Sequence, residues 1–250
     1  MKIFFLYPHQ DDETGTFKLI ENYIKKKIEV HCIFVTTGLV TNPKYNHRNT
    51  ESLNVLLKLK VKKKNIIFAG SRLNIKVNQL YSNLEKFNNY FKNRINKKCD
   101  LLYIPAWEGG NPDHDALHAI IVTMGKKFNF LDRIYQYPLY NNKGCKLNFF
   151  KVLSPISENG KIIKIKINLL ERIRYIFLFL QYPSQFLSWI GLFPFFFFKT
   201  LFYGKQQIQS VSFNRIYQKP HHGILYYEVR KWVKWNQMKY EIRNFTKNNL

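Results

Sequence analysis

Acidic residues are scarce in this chain. Only 16 Asp and Glu stand against 40 Lys and Arg, which leaves a formal charge of +24 over 250 residues. Cysteine is scarcer still: Cys32, Cys99 and Cys145 lie far apart and no C-x-x-C occurs. That excludes a zinc ribbon and a disulfide framework, and it fits a reduced, cytoplasmic setting. No uninterrupted run of about 20 apolar residues, the length that spans a bilayer, is present. The most apolar stretch, Phe186 to Phe198, is 13 residues long and contains Pro194. The wider window from Tyr175 is also broken, by Gln181, Pro183, Ser184 and Gln185. The N-terminus shows no signal-peptide pattern, since Met1-Lys2 leads into a short apolar run and then charges. No internal repeat occurs. No nucleic-acid recognition motif accompanies the positive charge, and the lysines are scattered, so no nucleic-acid partner is expected.

What is present reads as a folded α/β protein. Apolar residues make up 46% and aromatics 17% of the chain, too many for a disordered one. Apolar runs at 2–7, 29–36, 65–69, 100–105 and 133–137 read as strands. Segments 15–26, 48–60, 79–95 and 113–127 have helical spacing, with Leu53, Leu56, Leu57 and Lys60 on one side of the second and Leu80, Leu84, Phe87 and Phe91 lining the third. Residues 38–47 read as a loop. This alternation predicts a Rossmann-like, mainly parallel sheet with helices on both faces, within a single domain spanning 1–250. Residues 151–220 differ in composition, with ten Lys and Arg but only Glu158 and Glu171. They read as a basic, aromatic insertion or subdomain carrying a C-terminal hydrophobic helical segment. Four readings stand for 175–203: a buried helical hairpin, a membrane-surface or lipid-substrate contact flanked by Lys and Arg, a membrane span, or an oligomer interface.

The few acids are concentrated. The first apolar run, Ile3 to Tyr7, ends in Pro-His-Gln-Asp-Asp-Glu at 8–13. The run at 100–105 is followed by Trp-Glu-Gly-Gly-Asn-Pro-Asp-His-Asp-Ala-Leu-His at 107–118. These two stretches hold six of the 16 acids and three of the seven histidines. Clustered carboxylates where strands end call for a cation that offsets their repulsion. In parallel sheets both stretches face the crevice at the strands' carboxyl ends. A metal held by His9, Asp12 and His114 would keep coordination positions open, the mark of a catalytic rather than a structural site.

Residues 8–13 resemble the Pro-His-Pro-Asp-Asp-Glu motif of the LmbE/PIG-L zinc de-N-acetylases, and Asn111-Pro-Asp-His114 resembles their His-Pro-Asp-His motif. Arg48-Asn-Thr-Glu51 is similar to a third family feature. The resemblance covers roughly residues 1–140. It implies Zn²⁺ on His9, Asp12 and His114, although Fe²⁺ suits the same ligands. It also implies Asp11 as general base, and an N-acetylated amino sugar, free, nucleotide-linked or lipid-linked, as substrate. Asn111 departs from the family, which has His there. An amide can donate a hydrogen bond to an oxyanion but cannot deliver a proton at neutral pH. Either Asp11, once protonated, serves as the acid, or another group does, with His222 or His221 the candidate and His118 behind them, while Asn111 remains a candidate oxyanion donor. The same departure leaves open a non-catalytic sugar- or lipid-binding relative in a membrane-associated assembly. The expected location is cytoplasmic, with peripheral attachment at the inner membrane surface as an option; the oligomeric state is not legible.

Structural alternatives accompany several residues. Glu13 is a site group or a helix cap. Asp113 is expected to hold a ligand histidine or cap the helix, and Asp115 to be a first-turn acid. Arg48 binds substrate or pairs with Glu51. Trp107 stacks on a sugar or packs in the core.

Overall fold

In the computed structural model, residues 1–39, 47–97, 100–146 and 149–250 are described, apart from the side chains of residues 187–190 and 192. In chain order the elements are β1 (Lys2–Tyr7), α1 (Phe17–Lys25), β2 (Glu29–Phe34), α2 (His47–Lys58), β3 (Ile66–Phe68), α3 (Ala69–Leu73), α4 (Leu84–Phe91), β4 (Leu101–Pro105) and α5 (Pro112–Lys127). They continue with β5 (Ile134–Tyr137), β6 (Tyr140–Asn141), β7 (Lys151–Val152), β8 (Ile162–Lys166), α6 (Leu169–Phe179), α7 (Phe186–Phe198), β9 (Lys205–Ser210), α8 (Tyr226–Val229) and α9 (Trp235–Asn249).

The main sheet has the order β3-β2-β1-β4-β5-β9-β8. Strands β1 to β5 pair in parallel; β9 and β8 close the sheet in antiparallel register. The expected mainly parallel sheet is thus present, and residues 162–166 and 205–210 extend the same sheet. Along β1, side chains alternate between two cores, as a strand covered on both faces requires. Phe4 and Leu6 pack with α4, α5 and α9; Ile3, Phe5 and Tyr7 pack with α1, α2 and α6.

The chain winds outward through β2 and β3 on one side of β1 and through β4 and β5 on the other. The neighbours β1 and β4 therefore flank the topological switch point, where ligands bind in such sheets. Both acidic stretches begin there.

Three local expectations need correction. The helix expected over 79–95 is broken: Leu80–Ser82 form a 3₁₀ turn and α4 starts only at Leu84. The Asp113 carboxylate accepts the backbone N–H groups of Asn78 (2.6 Å) and Leu80 (2.9 Å), which holds this segment in a turn. His47 opens α2 rather than ending a loop; residues 40–46 of that expected loop lie outside the described residues. On α2 the buried side is Ser52, Val55 and Leu56, with Leu57 turned outward at 39% exposure.

Gly70, at the start of α3, has a positional reason. A Cβ added there would sit 2.0 Å from the Thr36 carbonyl carbon, a backbone atom that cannot swing aside. Gly70→Ala is expected to destabilise the protein by about 3 kcal/mol through forced backbone movement. A urea midpoint equal to that of the parent would refute this.

Candidate metal centre

The turn after β1 folds back on itself. His9 N–H donates to Asp12 Oδ2 at 2.7 Å, while Asp11 adopts φ 108°, which a non-glycine residue rarely does. Such a conformation costs about 1–3 kcal/mol and persists only where neighbours hold it. Asp11 N–H donates to Glu13 Oε2 at 2.9 Å. Arg48, from α2, reaches across with Nη1 on the Gly38 carbonyl (2.5 Å) and Nη2 on the Gln10 carbonyl (2.6 Å) and Asp11 Oδ1 (3.2 Å). The alternative pairing of Arg48 with Glu51 is not what forms, because Glu51 instead accepts from the Ser184 N–H and hydroxyl.

From the other side, α5 begins at Asn111, whose Oδ1 caps the helix by accepting the Asp113 N–H at 2.8 Å. This places His114 in the first turn, fully buried. His114 Nε2 lies 3.3 Å from His9 Nδ1 and 3.3 Å from Asp12 Oδ1; His9 Nδ1 lies 3.4 Å from Asp12 Oδ2. The three side chains form a group able to hold a metal ion. A tetrahedral site with bonds of about 2.0–2.2 Å spaces its donor atoms about 3.3–3.6 Å apart, the spacing of His114 Nε2 from both His9 Nδ1 and Asp12 Oδ1. The donor set agrees, since two imidazoles and one carboxylate leave a position open.

Asp113 does what its position suggested. Its Oδ2 lies 2.9 Å from His9 Nε2, which turns His9 Nδ1 toward the other ligands. Burial alone disfavours the His9 imidazolium, but hydrogen bonds to Asp113 and Asp12 prevail and raise it to about 9. Burial likewise pushes against an ionised Asp12, yet His114 and His9 hold its pKa far below the usual carboxylate range. Asp113→Ala should weaken zinc affinity about 10–100-fold while leaving the three ligands in place. Competition against a chromogenic chelator reads this, and unchanged affinity would show that Asp113 does not orient His9.

Further residues fall into place around the triangle. Glu13 does not cap a helix with its side chain; it is buried and accepts from the Asp11 N–H and, at 2.7 Å, from the Tyr182 hydroxyl. Burial pushes its carboxyl up to about 7, against the hydrogen bonds that pull it down. Asp115 is the expected first-turn acid, but it is wholly buried and accepts the N–H groups of Glu108 and Gly109. Gly109 (φ 69°) and Gly110 are needed, since a Cβ on Gly110 would meet the Tyr140 carbonyl at 2.1 Å.

Other candidates are not brought together. His118 points its Nδ1 at the Pro105 carbonyl (2.9 Å), packs against Trp107 and is held neutral by burial, with a pKa near 4. It lies outside the metal group. Trp107 is completely buried and packs against Trp235, so it offers no sugar-stacking face. His222 is exposed, and His221 Nδ1 bonds the His222 carbonyl. Neither lines the cleft beside Asp11 and Asp12, whose walls include Tyr140, Leu153, Phe179 and Phe196.

Sequence reasoning missed Tyr140. Its ring meets His114 edge-on at 5.5 Å and its hydroxyl is hydrogen-bonded with Asn111. Burial, reinforced by the Asp12 charge, raises the phenol well above 10, so it stays a neutral donor. Glu108 fixes this segment by accepting the N–H groups of Leu139 (2.8 Å) and Tyr140 (3.0 Å).

Fold and site together define a doubly wound α/β domain with a two-histidine, one-carboxylate group at its switch point. Residues 4–124 match the family model described as PIG-L, GlcNAc-PI de-N-acetylase, so the chain carries a PIG-L/LmbE family domain there. No curated protein matches the chain by sequence. Among solved structures, the zinc-inhibited form of the teicoplanin deacetylase Orf2 superposes with a TM-score of 0.60 at 11% identity, over 85% of this chain and 98% of that one. The A40926 pseudoaglycone deacetylase Dbv21 gives 0.58 at 13%, over 84% and 96%. The N,N'-diacetylchitobiose deacetylase from Pyrococcus horikoshii gives 0.55 at 15%, over 83% and 82%. At these identities the likeness is one of fold.

Proposed function

We propose that this protein is a zinc-dependent amidohydrolase that removes the acetyl group from an N-acetylated amino sugar, free or carried on a nucleotide or lipid. One observation carries the reading. His9, Asp12 and His114 direct three donor atoms at one point, and a further carboxylate, Asp11, stands beside them without belonging to the group. The PIG-L family match and the deacetylases among the solved relatives support the substrate class.

Bound by those three residues, zinc supplies Lewis acidity toward water and an amide carbonyl. The chain's own residues do the rest. Asp11 accepts a proton from the water that adds to the acetamide carbon. As the C–N bond breaks, Asp11 returns that proton to the departing nitrogen, and acetate and a free amine leave. Arg48 holds the Asp11 carboxylate and the strained turn in place. Asn111 and Tyr140 supply neutral hydrogen bonds toward the developing oxyanion. Asn111 Nδ2 contacts Asn78 Oδ1 at a long 3.4 Å, and the amide is also hydrogen-bonded with the Tyr140 hydroxyl. Because Asp11 serves as base and then acid, no histidine is needed at 111, and the exposed His222 takes no part.

The test is a panel of N-acetylhexosamine conjugates incubated with the zinc-loaded chain, reading acetate and free amine together. Equal amounts of both are expected from at least one conjugate. Failure of every conjugate, with one metal per chain bound, would point to a relative that binds sugar without hydrolysing it.

A further inference from the structure

We propose that the outer face of the α6–α7 hairpin docks on an anionic lipid bilayer. On α6 the large apolar side chains turned to solvent include Leu170 (80% exposed), Ile173 (40%), Phe177 (62%) and, at its end, Leu180 (52%), with Arg174 exposed among them. They recur every three to four residues, which makes one stripe along the helix. Phe195, Phe198 and Phe202 repeat the pattern on α7 and the turn after it, at 41%, 58% and 71% exposure. The inner sides are already used: Phe179 stacks on Phe196 at 3.9 Å, and Tyr175 lies in the core. The outward stripes are thus surplus to folding, and leaving so many large apolar groups in water calls for a partner.

Charge selects the partner. Between residues 160 and 205 there are seven Lys and Arg against the single Glu171, a balance of +6, and that Glu is ion-paired with Lys18. Lys151 and Lys199 line the same groove as Phe195, Phe198 and Phe202, and Lys205 is exposed beside Tyr203. A second copy of this chain would bring the same basic rim against itself. An anionic bilayer meets both features, with aromatics at headgroup depth and Lys in the surface potential. Among the described residues no helix is long and apolar enough to cross a membrane, so the hairpin lies on the surface rather than spanning it.

The face is continuous with the candidate site. Phe179 and Phe196 wall the cleft that contains Asp11 and Asp12, and the groove bordered by Phe195, Phe198 and Phe202 shares Val152 with that cleft. The hairpin is tied to the turn after β1 by Tyr182 on Glu13 and to α2 by Ser184 on Glu51. Docking would set the cleft mouth beside the lipid headgroups. The proposal stands on surface chemistry, not on the deacetylase reading.

The test is flotation of the full chain with vesicles of phosphatidylcholine, with and without phosphatidylglycerol. Partition should be at least about tenfold stronger with the anionic lipid and should fall as salt rises. The triple variant Phe177→Gln, Phe198→Gln, Phe202→Gln should keep the parent's circular dichroism and its acetate release from a water-soluble conjugate, yet lose partition by about tenfold or more. Lys151→Glu with Lys199→Glu should lose the preference for phosphatidylglycerol. Several results would overturn the proposal: no binding to anionic vesicles, equal binding to neutral ones, or undiminished binding of the triple variant. Dimerisation in sedimentation runs that the triple variant abolishes would also overturn it, by assigning the face to a second copy. Loss of acetate release by the parent with flotation intact would instead refute the deacetylase reading alone.

Discussion

Asp11→Asn is expected to lower acetate release by about 10²–10⁴-fold, the usual contribution of a positioned general base. Metal content should stay at the parent level. The substitution keeps size and shape, and Asn Oδ1 can still accept from Arg48 as Asp11 does at 3.2 Å. What it removes is the capacity to take a proton and give it back. Since the proposed ligands are His9, Asp12 and His114, none of them is lost. The two readouts must therefore separate, with activity falling and metal remaining. Full activity of the purified variant would end the role given to Asp11, and loss of metal would make Asp11 a ligand.

The second large effect belongs to His114. His114→Ala removes one of the three proposed ligands, whose Nε2 lies 3.3 Å from both His9 Nδ1 and Asp12 Oδ1. Metal affinity should fall by more than the about 10–100-fold expected when an outer partner such as Asp113 is removed, and acetate release should fall below detection. Because His114 is fully buried, a cavity will also lower stability, so metal content must be read on folded protein. His118→Ala is the matched control: it lies on the same helix, equally buried, but its Nδ1 faces the Pro105 carbonyl. It should retain the metal. Equal metal loss in both variants would mean that the effect is one of folding rather than ligation.

Much of this site could be read before the structure was known, for a physical reason. His9, Asp11 and Asp12 sit where a buried strand ends, and Asp113 and His114 where the neighbouring strand feeds a helix, so sequence adjacency and spatial adjacency coincide. Tyr140 had no such signal, and Glu108, though one of the clustered acids, gave no sign of its backbone partners. Tyr140 reaches His114 only because Glu108 pins the chain after β5, and an ordinary tyrosine in a loop says nothing of that contact. Arg48 was recognisable, but its partners were not, since they are carbonyls and a carboxylate on the turn after β1. The mainly parallel sheet followed from strand–helix alternation; its strand order did not. The break before α4 was hidden because the apolar spacing of Leu80, Leu84, Phe87 and Phe91 runs through it undisturbed; the Asp113 carboxylate that stabilises the break comes from α5. Trp107 and His118 looked like site residues by position alone, and burial against each other and Trp235 placed them in the core.

The central claim is that a metal on His9, Asp12 and His114 works with Asp11 to hydrolyse an acetamide. It is tested most directly by stripping the full chain of metal and titrating zinc back, while reading bound metal and acetate release from an N-acetylhexosamine conjugate in the same samples. The account predicts no release without metal, then release that rises in proportion to occupancy and stops rising at one zinc per chain. Acetate release at full rate in excess chelator, or one zinc per chain with no release from any conjugate, would contradict it.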